Sequence, residues 1–202
     1  MSSTALATPT SAPSNMVPCD LDQGRMYLDH VHTNLTGVIK RLSPAQWNFK
    51  PAPDRWSIAE NVDHVEFVQG IVLGRVRDLL PTAPASAPDR DYRAVDAIVL
   101  GVFPHRFARF NAPEPLLPTS RFKSPQDALP RLAENTARLT AQLELTPDLR
   151  GRVLDAPPLK ASTQGEHTVM DGYQWLMTAA AHTERHTHQI LELMADPNFP
   201  EN

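Results

Sequence analysis

Twenty prolines constrain this chain more than any other feature. A proline inside a helix removes a backbone donor and clashes with the preceding turn. Spread evenly, twenty of them would forbid long helices. They gather instead in the first 18 residues, in 44–53, 81–88, 104–130 and 147–158, and near the end. These clusters are punctuation, and the segments between them carry helical periodicity.

The first segment, about 20–42, sets Leu28, Val31, Leu35, Val38, Ile39 and Leu42 three and four residues apart. Ser43-Pro44-Ala45-Gln46 then reads as a capping box with proline at the first helical position, so a short helical turn follows. "NFKPAPDRW" is a rigid connector. A second capping box, Ser57-Ile58-Ala59-Glu60, opens a helix whose predicted apolar face is Val65, Phe67, Val68, Ile71, Val72 and Leu79. That helix is expected to stop before Pro81. The third helix lies within 124–145, with Leu129, Leu132, Leu139 and Leu143 as its seam. Pro130 implies either a kink or a start near that residue. The fourth is expected to start at Thr168, with Asp171 completing the cap, and to run to about Ala195. A shorter helix is predicted in 91–103. No internal repeat and no strand-like alternation is present. The pattern predicts an all-α fold, a four-helix bundle with a short extra helix. The long connection between the second and third helices allows a crossover.

A chain of 202 residues suits one domain. The Ser-, Thr-, Ala- and Pro-rich start reads as a flexible tail over 1–18, with the domain over 19–202. It lacks the basic and continuous apolar parts of a secretory signal. A net charge of −4 argues against nucleic-acid binding. No run approaches the roughly 20 apolar residues of a membrane helix. Cys19 stands alone, which excludes an internal disulfide and a cysteine-rich zinc site and favours a cytoplasmic, reducing home.

Three of the eight histidines fall within residues 182–188. At 100° per residue, His186 lies about 40° from His182 and one turn on, whereas His188 lies about 120° away. The pair is therefore His182 and His186. Trp175, Thr178, Ala179, Gln189 and Leu193 share its stripe, so this face points into the bundle. Two imidazoles one turn apart are spaced to grip one metal ion, and the same spacing also suits a buried polar patch. His64 is the candidate third ligand, on the second helix beside Phe67, Val68 and Ile71. A lone histidine there is commonly a core residue with a hydrogen bond. Three neutral imidazoles in one dry core call for a divalent cation. His30 and His32 flank the first helix's seam as surface or boundary residues. His105 and His167 fall in connections.

The stretches "LSPAQWNFKPAPDRWSIAENVDHV" (42–65) and "HTERHTHQI" (182–190) resemble the DinB-like superfamily of bacterial four-helix bundles. The shared pattern is a leucine-serine turn, a tryptophan-serine helix start, a histidine seven residues after that serine, and a late His-x-x-x-His followed by Gln-Ile. The resemblance spans about 20–200. It implies an up-down-down-up bundle, often a homodimer, and a divalent metal held by His64, His182 and His186. Zinc and nickel suit imidazole, with iron as a further candidate. The superfamily includes thiol S-transferases that use bacillithiol or mycothiol, a thiol-dependent isomerase and members described as metal-dependent hydrolases. The implied function is a metal-dependent enzyme acting on a small molecule, either a low-molecular-weight thiol S-transferase or a hydrolase. The alternative is a non-catalytic bundle for ligand binding or stress.

Around such a site, Glu184 should face solvent, about 200° from His182. Glu60 reads as the capping partner of Ser57, and Asn61 as a residue able to orient His64 or a bound water. Gln189 could support the site or simply be a buried polar residue. Trp175 reads as core, with a pocket wall as the alternative. Arg106, Arg109, Arg121 and Lys123 read as a solvated loop face that could also attract an anion. Tyr92 and Phe110 should anchor that loop.

Overall fold

Four helices of 17 to 23 residues carry the fold. The computed structural model describes residues 18–106 and 114–201. The expected tail, Arg109 and Phe110 lie outside these residues, except that Pro18 opens the first helix.

Helix α1 (Pro18–Ile39) buries Leu28, Val31, Leu35 and Ile39, each at most 3% exposed. Its expected end at residue 42 moves back to Ile39. Helix α2 (Pro44–Trp47) is the predicted capped turn, with Ser43 and Gln46 bonded reciprocally. Its Trp47 is fully buried and donates its indole N–H to the Phe122 carbonyl at 3.3 Å.

Helix α3 (Ile58–Gly74) starts at the predicted Ser57 cap. Beyond it the chain loosens through a π turn (Arg75–Leu79) and a 3-10 turn (Leu80–Thr82), as Pro81 removes a donor. The predicted apolar face needs correction. Val65 and Val72 are buried, but Phe67 is 40% and Leu79 48% exposed. The buried arc of α3 instead includes Asn61, Asp63, His64, Glu66 and Gln69. An apolar pattern does not count such residues, so it rotates the inferred face away from them.

Helix α4 (Tyr92–Gly101) is the predicted extra helix, capped by Asp91, and packs on the last helix through Val95 and Val99. Helix α5 (Pro125–Leu145) neither starts nor breaks at Pro130. Pro130 sits in the second turn and is exposed, as is Gln126, so solvent can take the carbonyl that loses its partner.

A two-stranded antiparallel ribbon, β1 (Val153–Asp155) and β2 (Val169–Asp171), pairs Leu154 with Met170. Helix α6 (Pro157–Ser162) joins the two strands. Three residues per strand are too few to alternate visibly, which is why the sequence shows no strand. The ribbon also corrects the start of the fourth helix. Helix α7 (Gly172–Met194) is capped by Asp171, which accepts from the Gln174 N–H at 2.9 Å, while Asp171 N–H donates to Gln174 Oε1 at 3.0 Å. Thr168 is no cap. Its carbonyl accepts from Ala156 N–H.

Cross-helix contacts give the directions. Along α1 and α7, Gly24 lies against Met177, Tyr27 bonds Glu184, and Val38 shares a groove with Leu191, so the two run parallel. Along α3 and α7, Asn61 meets His186, His64 meets His182, and Arg75 covers Trp175, so they run antiparallel. Helix α5 follows α3, with Asn135 bonded to the Glu66 carbonyl and Gln142 to that of Leu73. The bundle is therefore up-down-down-up, and the long connection from α3 to α5 joins two parallel neighbours. At the end of the bundle where α7 begins, buried Arg150 binds Asp20, Asp96 and Asp171 and lies over the Tyr92 and Tyr173 rings. Tyr92 anchors that cluster through its ring and its carbonyl.

Candidate metal centre

Antiparallel packing of α3 on α7 brings the first turns of α3 beside the second half of α7. His64, His182 and His186 meet there. One ring nitrogen from each lies within 4.8 Å of the other two. Ring centroids are 4.9 Å apart for His64–His182 and His64–His186, and 4.5 Å for His182–His186. The angular sorting holds, since His186 and not His188 stands beside His64.

Two of the rings are oriented by fixed oxygen acceptors. His64 Nδ1–H donates to the Leu116 carbonyl at 2.7 Å. His186 Nδ1–H donates to Asn61 Oδ1 at 2.8 Å, and the Asn61 amide donates to the Ser57 carbonyl at 2.8 Å. The second bond fixes which way the amide faces. Both rings therefore keep a lone pair on Nε2. A backbone carbonyl or amide oxygen on the far nitrogen is how ligating histidines are held.

His182 differs. Its Nε2 lies 3.1 Å from His64 Nε2, and its buried Nδ1 has no hydrogen-bond partner among the described residues. Either tautomer leaves a buried polar atom unsatisfied, which is costly. The Nδ1–H form also leaves a lone pair on all three Nε2 atoms, and three such lone pairs close together would have a cation as their natural partner. Burial lowers the proton affinity of all three rings, and the neighbouring histidines lower His182 and His186 further, well below the usual histidine range. Neutral imidazoles are the form that binds metal. The donor set thus fits a divalent ion of imidazole preference.

A family model for the DinB superfamily matches residues 27–190. The chain belongs to the DinB superfamily. No curated protein and no solved structure matches it. The matched span of this DinB-superfamily chain runs from α1 to the last turns of α7 and contains all three histidines.

The other sequence candidates fall elsewhere. His188 lines a groove between α1 and α7 with Val31, Asn34 and Leu191. Glu184 points away from the three histidines, as the angle requires, but it meets α1 rather than open solvent and accepts from Tyr27 O–H at 2.6 Å. Glu60 is the capping partner and also pairs with Lys50 at 2.7 Å. Asn61 orients His186, not His64. Gln189 is partly exposed. Trp175 is core under the Arg75 guanidinium, 4.6 Å from its ring. His30 is exposed and bonds Asn34, and half-buried His32 bonds Thr136. The basic cluster is not a purely solvated face. Arg121 pairs with buried Asp63 at 2.6 Å and Glu66 at 2.8 Å, and Arg106 pairs with Glu192 at 3.2 Å.

Three contributors were absent from the sequence reading of the site. Trp56 stacks on His186 at 6.1 Å with planes 15° apart, and meets His64 edge-on at 4.9 Å. Its place directly before the Ser57 cap is the signal that could have pointed to it. The Leu116 carbonyl and Arg121, the partner of Asp63 on α3, both lie near the end of a Pro-rich connection, where no periodicity locates anything.

Proposed function

We propose that His64, His182 and His186 hold one divalent metal ion, zinc or nickel before iron, and that the protein is a metal-dependent enzyme acting on a small molecule. The observation carrying this reading is the convergence of three neutral imidazoles, two with their far nitrogens tied to fixed oxygens. Superfamily membership supports it.

Asn61 and Leu116 hold two of the rings in register, and Trp56 walls one side and excludes water from it. Among the described residues, no carboxylate bonds any of the three histidines. Glu60 is committed to Ser57 and Lys50, Asp63 to Thr119 and Arg121, and Glu184 to Tyr27. A bound divalent ion would supply what these groups do not, by lowering the pKa of a water or thiol that it holds. A thiol starts near pKa 8.5 and bulk water near 15.7, so a bound ion has less far to bring a thiol to its anion near neutral pH. S-transfer from a low-molecular-weight thiol to an electrophile is therefore the leading reaction, with hydrolysis second. A cytoplasmic homodimer is part of the same proposal.

The test is metal analysis of protein purified without chelating resin, followed by turnover of an electrophile with and without small thiols. Near-stoichiometric metal that disappears in His64→Ala and His182→Ala is expected. Metal-free protein with unaltered stability in both variants would remove the proposal. Product that needs metal but no thiol would select hydrolysis.

A further inference from the structure

The 3-10 turn Glu114–Leu116 and the residues after it pass over His64, yet none of residues 114–124 is buried. Leu117 is 46% exposed. Phe122 packs half-buried against the core and its carbonyl receives the Trp47 indole N–H, but residues 114–121 have no such anchor, so polar bonds hold them. Those bonds converge on Asp63, the neighbour of His64, which is 1% exposed. Asp63 Oδ2 accepts from Thr119 N–H at 2.6 Å and from Thr119 O–H at 3.2 Å. Asp63 Oδ1 accepts from Arg121 Nε at 2.6 Å, and the Asp63 carbonyl accepts from Arg121 Nη2 at 3.0 Å. The third arm of the guanidinium, Nη1, lies 2.8 Å from Glu66. Ser120 between them takes φ 57°, a left-handed turn that lets residues 119 and 121 both face α3. Three residues before Thr119, the Leu116 carbonyl receives the His64 Nδ1 proton.

We infer that Arg121 is a positioning residue, which acts through Asp63 and the 116–121 strap to hold His64 in its Nδ1–H tautomer with Nε2 facing the other two histidines. A planar fork that donates to two Asp63 oxygens and ion-pairs with Glu66 gives a fixed geometry that a single ammonium cannot reproduce. Release of the fork leaves Thr119 as the strap's remaining tie to Asp63 and lets Asp63 turn; the Leu116 carbonyl then shifts from His64, and the ring loses its reason to choose one tautomer. His186 keeps its own acceptor, Asn61, on α3 itself, so it should not respond. The inference rests on the metal reading for its consequence, while the tautomer can be read without any metal.

The experiment compares wild type, Arg121→Ala and Arg121→Lys. Arg121→Lys keeps a cation beside Asp63 and Glu66 and serves if Arg121→Ala does not fold. Long-range 1H–15N spectra of the imidazoles in metal-free protein report the tautomers, and zinc(II) competition against a chromophoric chelator reports affinity. In the variants, His64 should change from one tautomer to a mixture while His186 stays fixed, and zinc should bind about 10–100-fold more weakly. A folded variant whose His64 remains in the single Nδ1–H form overturns the inference. Zinc affinity within twofold of wild type in a variant with a mixed His64 also overturns it, because the strap would then not govern the site. If wild type itself binds no zinc, the metal reading fails, and the tautomer spectra still decide whether Arg121 positions His64.

Discussion

Asn61→Leu separates the fold's need for Asn61 from the metal's need for it. Asn61 is fully buried and serves two partners, the Ser57 carbonyl and His186 Nδ1–H, each at 2.8 Å. Leucine has the same branched four-atom shape, so no large cavity opens. The Ser57 carbonyl keeps a partner, because the residue-61 backbone N–H already donates to it at 3.0 Å. One orphan remains, the buried His186 Nδ1–H, worth about 1–3 kcal/mol. For a chain of this size each kcal/mol moves the midpoint by roughly 2–4 °C, so metal-free Tm should fall by about 2–12 °C. The freed ring can also turn or change tautomer, which should weaken metal binding about 10–100-fold. With excess metal that loss adds about 1.4–2.7 kcal/mol, or a further 3–11 °C or so. Calorimetry in chelator and in excess zinc(II) measures both. The variant should trail wild type by more in zinc than in chelator. An equal gap in the two conditions would refute the argument that Asn61 serves the metal site through His186.

Further outcomes follow from the same geometry. The three clustered histidines titrate below their ordinary range when folded, so the unfolded chain binds more protons below about pH 6.5. Metal-free stability should therefore hold above that pH and fall as pH drops through the lower folded values. The slope is at most about 1.4 kcal/mol per pH unit per histidine, and His182→Ala should flatten it in chelator-treated melts. Arg150→Met removes the cation that three carboxylates share and should destabilise by about 3–5 kcal/mol in urea titrations, since Asp171 is fully buried. Leu73→Ala should cost about 2–5 kcal/mol, and Leu79→Ala, at a 48% exposed position, less than about 1 kcal/mol. A comparable loss at Leu79 would restore the apolar face that the periodicity alone suggested.

Much of the molecule was legible because it is encoded locally. Proline clusters mark the ends of helices, and the Ser43 and Ser57 capping boxes state where two of them begin, since a cap needs only residues three apart. The pairing of His182 with His186 is helical geometry within one segment. The start of α7 was misplaced by the same local logic. Thr168 and Asp171 sit at a cap's spacing, but β2 pairs with β1 across 16 residues and delays the helix to Gly172.

The sequence by itself determined the helices, the inward histidine pair and the candidate third histidine, and, through resemblance, the order of the bundle. Tertiary structure decided everything that depends on which helix lies beside which. It buried the polar arc of α3, turned Phe67 outward, joined Asn61 to His186 across 125 positions and laid a strap over His64. The reason is physical. Periodicity records where apolar side chains leave water, whereas a buried polar residue is stabilised by a specific partner, and that partner is set by packing.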